Sequence, residues 1–262
     1  MQQIPQQAIN PSVQQVQQIP PEVYQQAALY QLGEPTGLYK PSMTNPVAII
    51  GLTIGVIVVD IILAIVILSL GWIVSLLIAI PIVMIIYCIN ALAACNLRVY
   101  LFQNGFVSTR GGQPEVVRWD QVKTIWQRVA SSRYGRVSYR YTIERLDGAT
   151  FKVDTMLKNA SLLGQNMQQE VTRIHMPQAI AAYNTGNVIP FGPISVSLQG
   201  IRKGDTLLPW NQVQSLLFKK GNILVKMVGS SRNWASVRIS SIPNSLVFIQ
   251  LVDYARSRGG TM

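Results

Sequence analysis

The sequence predicts an α+β protein carried on a two-helix transmembrane hairpin, and three observations lead to that fold class. Residues 46–95 form one apolar stretch whose only charged residue is Asp60. Residues 96–262 alternate short apolar and polar runs between glycine and asparagine turns, the period-two signature of half-buried strands. RWDQV at 118–122 returns as PWNQV at 209–213, so the strand-rich region repeats itself.

The chain opens on a Gln- and Pro-rich segment, 1–45, with little to build a core from. Its composition predicts a disordered cytoplasmic tail. Pro20-Pro21 and Tyr24 are its candidate docking residues, against the plainer reading of a solvated tether.

A single helix over 46–95 would be about 75 Å long at ~1.5 Å per residue. That exceeds twice the roughly 30 Å hydrocarbon core of a bilayer. The stretch therefore divides near Ser69-Leu70-Gly71-Trp72 into helices at about 47–69 and 72–94. Residues 96–262 hold 21 of the 22 Lys and Arg against eight acidic residues, which the positive-inside rule places on the cytoplasmic side. The expectation is a multi-pass protein of the cell membrane with both termini cytoplasmic.

Three residues of the first span are candidates for intramembrane packing. Gly51 and Gly55 form a GxxxG pair, suited to close helix approach within the hairpin or to a second copy. Asp60 falls mid-span, where a charge costs at least ~2.5–3.5 kcal/mol. A protonated Asp60, level with Pro81 and buried against the second helix (with the freed carbonyl near Leu77 as acceptor) or against a neighbouring subunit, is weighed against a proton or ion relay.

The strand-rich region divides into modules at 96–186 and 187–262. In the first, VSYRYTIER meets ATFKVDTM across Leu146-Asp147-Gly148, a strong hairpin signal. Leu163, Met167, Val171 and Ile174 then predict an amphipathic helix over 160–175, kinked or ended by Pro177. In the second, NILVKMV pairs with WASVRIS across 229–232, and a helix follows Pro243 with Asn244 or Ser245 at its start.

This order, with GIRKGDTLLPWNQV followed by IPNSLVFIQLVDYA, resembles tandem bacterial pleckstrin-homology-like membrane proteins of an uncharacterised family. The resemblance implies two modules, each a curved antiparallel sheet closed by a C-terminal helix, and it carries no catalytic residues. The echo itself is read as structural: Trp119 and Trp210 close the open end of a small barrel, and Asp120 or Asn211 makes an Asx-type turn.

Chemistry has few candidates. The one histidine, His175, has no cysteine or carboxylate cluster beside it in sequence, and Cys88 and Cys95 lie in the apolar stretch. No catalytic residue, metal site or cofactor is predicted. What remains is QRVASSRYGRVSYRYTIER, where Arg128, Arg133, Arg136 and Arg140 interleave with tyrosines. These arginines are the candidate headgroup contacts, with Lys219, Lys220, Lys226 and Arg232 extending the patch if the modules align. Anionic phospholipid is preferred over nucleic acid, against the blander reading of a solvated basic hairpin. The predicted function is non-enzymatic, membrane-anchored binding to lipid headgroups or a protein partner. The alternative is an accessory subunit of a larger membrane complex or homo-oligomer assembled through the spans.

Overall fold

The computed structural model describes residues 19–42, 46–66, 81–89, 92, 97–110, 113–131, 137–153 and 157–259. It divides into two compact units, Met1–Val116 with Met156–Lys158 and Val117–Thr155 with Asn159–Met262.

In the first unit, helix α1 (Pro21–Leu29) and strand β1 (Pro35–Tyr39) lie within the segment expected to be a disordered tail. Few apolar residues suffice because they share a face. Val23 and Ala27 are one turn apart, and with Leu32 they bury themselves against Tyr100, Phe102 and Val107. Strand β1 joins β2 (Arg98–Phe102), β3 (Gly105–Arg110) and β4 (Gln113–Arg118) in a four-stranded sheet of that order.

The same unit contains α2 (Pro46–Val66), where the first transmembrane helix was expected. Among the described residues no helix is long and apolar enough to cross a membrane. Of the second apolar segment, residues 81–89 and 92 are described, and they are helical. The predicted fold class, a two-helix transmembrane hairpin bearing pleckstrin-homology-like modules, is therefore corrected: the described residues form antiparallel sheets and helices, with no membrane-spanning helix among them. The multi-pass localisation with two cytoplasmic termini rested on those spans and falls with them.

The second unit is built from strand hairpins and two long helices. Strands β5 (Val122–Ser131), β6 (Val137–Arg145) and β7 (Thr150–Val153) form a three-stranded antiparallel sheet, followed by α3 (Ala160–Asn184). A four-stranded sheet comes next, ordered β8 (Ile189–Phe191), β9 (Ile194–Ser197), β10 (Gly200–Lys203) and β11 (Thr206–Pro209). The last sheet contains β12 (Val213–Lys219), β13 (Asn222–Met227) and β14 (Asn233–Arg238), and α4 (Ser245–Gly259) follows it. Phe191, Val196, Ile201, Trp210, Val225, Phe248 and Leu251 share one core.

The sequence echo is a repeated joint. Trp119–Gln121 and Trp210–Gln212 are both single 3-10 turns, each leading into a strand with a bulge, at Val122/Thr124 and Val213/Ser215. In both, the partner hairpin reaches back to the turn: the Leu146 amide donates to the Gln121 carbonyl and the Val228 amide to that of Gln212, each at 2.9 Å. A bulge leaves a carbonyl outside the ladder, and in both copies a helix side chain serves one. His175 of α3 donates its Nε2–H to the Val122 carbonyl (2.8 Å), and Arg256 of α4 donates to that of Gln214 (2.7 Å). Trp119 is 1 % exposed, and the Trp210 indole donates to the Ser197 carbonyl at 3.0 Å. The Asp120 carboxylate pairs with Arg118 at 2.8 Å, which holds it below the usual carboxylate range, and the nearby backbone amides of Asp120 and Gln121 lower it further.

Helix α3 passes through Pro177, where an end or kink was expected. Pro177 and Arg173, whose carbonyl loses its helical partner, are both exposed, so water can serve that carbonyl. At the other end of the unit Asn244 docks on the edge of β5. Its Oδ1 accepts from the Ile125 amide (2.8 Å), its own amide donates to the Ile125 carbonyl (3.0 Å), and its Nδ2 donates to the Lys123 carbonyl (3.3 Å). It does so in the left-handed region, at φ 49°, while its carbonyl accepts from the Phe248 amide, in the first turn of α4.

Candidate anion-binding site

Successive strand residues point to opposite faces of a sheet, and on β5–β6–β7 the two faces differ sharply. Ile125, Tyr141, Ile143, Phe151 and Val153 are buried on one. On the other, Arg128 stands directly opposite Arg140, Trp126 opposite Thr142, and Thr142 opposite Lys152. These five residues, with Gln127 and with Ser240 from the Ile239–Ser241 turn, line a cleft of about 480 Å³.

Its charge is one-sided. Arg128, Arg140 and Lys152 are exposed, and among the described residues none has an acidic group within 4 Å. The acid on this face, Glu144, is engaged by Lys123 at 3.0 Å. Like charges directly opposed across strands destabilise a sheet, so the Arg128/Arg140 pair is an expense with no structural return on this face. Exposed Lys219 and Lys220 flank the same strand. A Cβ on the adjacent Gly221 would lie 3.2 Å from the Val129 carbonyl.

Beneath the cleft runs a chain of neutral amides and hydroxyls. Gln168 of α3 donates to Gln127 Oε1 (3.3 Å) and to Ser245 Oγ (3.2 Å), and the Gln127 amide donates to the Tyr141 hydroxyl (3.4 Å). Burial pushes the Tyr141 phenol up to about 12, Tyr139 adds to the rise, and the Gln127 amide opposes it. Unfolded tyrosine titrates near 10, so between those values the native state keeps a proton that the unfolded state releases. The contribution is complete below pH 10 and is lost as pH rises towards 12, at roughly 1.4 kcal/mol per unit. Urea unfolding from pH 9 to 12 is expected to lose more stability in the natural chain than in Tyr141→Phe. Parallel curves would mean that the hydroxyl is solvated.

Of the four arginines predicted to contact headgroups, the structure brings Arg128 and Arg140 together, while Arg133 and Arg136 lie outside the described residues. Sequence reasoning missed Lys152, Trp126, Thr142 and Ser240. His175 is occupied as a structural donor to Val122. Of the proposed packing residues, Gly51 and Gly55 lie on α2, and a Cβ on either would meet no atom of the described residues within 4 Å. Asp60 belongs to α2, but its side chain lies outside the described residues, as does Leu77.

A family model described as a family of unknown function, DUF6585, matches residues 1–260. No curated protein matches the chain.

Proposed function

We propose, for a chain that belongs to the DUF6585 family and inherits no activity from it, a non-enzymatic binding protein whose β5–β6–β7 face contacts anionic lipid headgroups. The observation that carries this reading is the opposed Arg128/Arg140 pair in a cleft with Lys152 and without an acidic partner within 4 Å among the described residues. A bound anion would offset the repulsion that the sheet otherwise bears. Trp126 adds a half-buried ring of the kind that suits a membrane–water boundary. The assignment of His175 to a strand bulge supports binding without turnover.

Co-sedimentation of the full chain with vesicles tests it, neutral against anionic lipid, at low and high salt. Binding is expected to require anionic lipid and to weaken with salt. Each of Arg128→Gln, Arg140→Gln and Lys152→Gln should weaken it roughly fivefold, since a basic residue at such a surface contributes about 1 kcal/mol. Equal sedimentation of the triple variant, or no preference for anionic vesicles, would sink the reading and shift attention to an acidic protein partner.

A further inference from the structure

If the cleft binds anions, as proposed for its function, its geometry also discriminates among them. Arg128 and Arg140 occupy directly opposed positions, so their Cβ atoms are about 5 Å apart. Each guanidinium is a planar fork that donates two parallel hydrogen bonds to one oxyanion. Two such forks on one group call for at least three acceptor oxygens and two negative charges. A phosphodiester or a carboxylate offers two free oxygens and one charge; a terminal phosphate offers three oxygens and nearly two charges at neutral pH.

The rest of the lining is consistent with that phosphate standing on a larger body. The hydroxyl-bearing residues Thr142 and Ser240 line the cleft, Lys152 is one strand beyond Arg140, and the Trp126 ring lies beside Thr142. At about 480 Å³ the cleft is of the size that holds a small organic ligand. We propose that the site recognises a phosphate monoester, as a dianionic terminal phosphate borne on a polar body, in preference to diester or carboxylate anions of equal charge density. The same chemistry could be displayed by a lipid or carried by a free metabolite.

The test uses the full chain and vesicles matched for surface charge, one set containing phosphatidate (a monoester) and the other phosphatidylglycerol (a diester). Preference for phosphatidate is expected on the order of tenfold, the worth of one charge-assisted hydrogen bond. Arg128→Lys and Arg140→Lys keep the charge but lose the fork, so they should abolish the preference while general anionic binding persists. Glycerol 3-phosphate, titrated by calorimetry, separates the two sources: direct binding points to a free solute, and binding confined to phosphatidate vesicles points to a headgroup. Either result upholds the monoester. Equal binding to both vesicle types overturns it while leaving the anion-binding function intact. A preference that survives both lysine substitutions overturns the role of the paired forks. Failure to bind any anionic vesicle or glycerol 3-phosphate removes both proposals together.

Discussion

Gly164→Ala is expected to destabilise the second unit by about 1–3 kcal/mol, the range for overpacking a filled core. Helix propensity alone predicts the opposite sign, since alanine in a helix interior is worth up to ~1 kcal/mol over glycine. Position 164 sits inside α3, yet the Tyr141 ring occupies the space a side chain would need. A Cβ there would stand 1.9 Å from Tyr141 Cε2, 2.2 Å from Cδ2 and 2.3 Å from Cζ. Tyr141 is fully buried and bonded to Gln127, so it has nowhere cheap to go. Thermal unfolding of Gly164→Ala, Tyr141→Leu and the double variant checks this. The double variant should recover much of the loss, with a coupling of about 1–3 kcal/mol between neighbours. A higher Tm in Gly164→Ala alone would show that the helix does not approach β6 this closely.

The second large effect is expected at Asn244. Asn244→Ala removes an acceptor from the Ile125 amide and a donor from the Lys123 carbonyl. It also leaves a residue with a Cβ and no local compensation at φ 49°. An unmade bond to a buried backbone group costs about 1–3 kcal/mol, and the left-handed region about 1–2 kcal/mol for alanine. A total of roughly 2–5 kcal/mol is expected. Asn244→Gly relieves the backbone and should cost less. Asn244→Asp keeps the acceptor for Ile125 but loses the donor to Lys123, and should cost least. Urea midpoints in the order Asp, Gly, Ala would support this account, whereas equal losses would place the effect elsewhere.

Much of the second unit was legible because its signals are local. Asp147-Gly148 fixes the β6–β7 turn: the Asp147 carboxylate accepts the Ala149 amide, and Gly148 adopts φ 83°. The four-residue spacing of Leu163, Met167 and Val171 gives the buried face of α3, all three fully buried. The doubled tryptophan joint was likewise visible as a repeat. Half of the site was within reach by the same reasoning. Counting outward from Asp147-Gly148 pairs Thr142 with Lys152, so Lys152 could have been placed beside the arginines. The Arg128/Arg140 pairing was not available, because Ser132 and Gly135 between the two strands do not by themselves fix which residues of β5 and β6 stand opposite. Ser240 enters from a turn about a hundred residues away, by a docking that no local pattern encodes.

The apolar stretch misled for a different reason. Hydropathy registers which residues avoid water, and an extended run of Ile, Leu and Val reads as a span whatever helices it forms. Similarly, residues 19–42 of the Gln- and Pro-rich opening read as coil because the partners of Val23, Ala27 and Leu32 lie on β2 and β3, some seventy residues on, while residues 1–18 of the expected tail lie outside the described residues.

The clasp between Asn244 and β5 also sets a clock on synthesis. Its partner Ile125 is made 119 residues earlier. At 5–20 residues per second the outer edge of β5 waits roughly 6–24 s on the ribosome before its cover exists. Hairpins form in microseconds, so from the synthesis of Val153 onward, about 5–18 s of that interval, a completed β5–β6–β7 sheet can present an unpaired edge to its neighbours on the same message. Chains cut short before residue 244 never leave that state, and the fraction of them found in aggregates should exceed that of full-length chains made at the same rate.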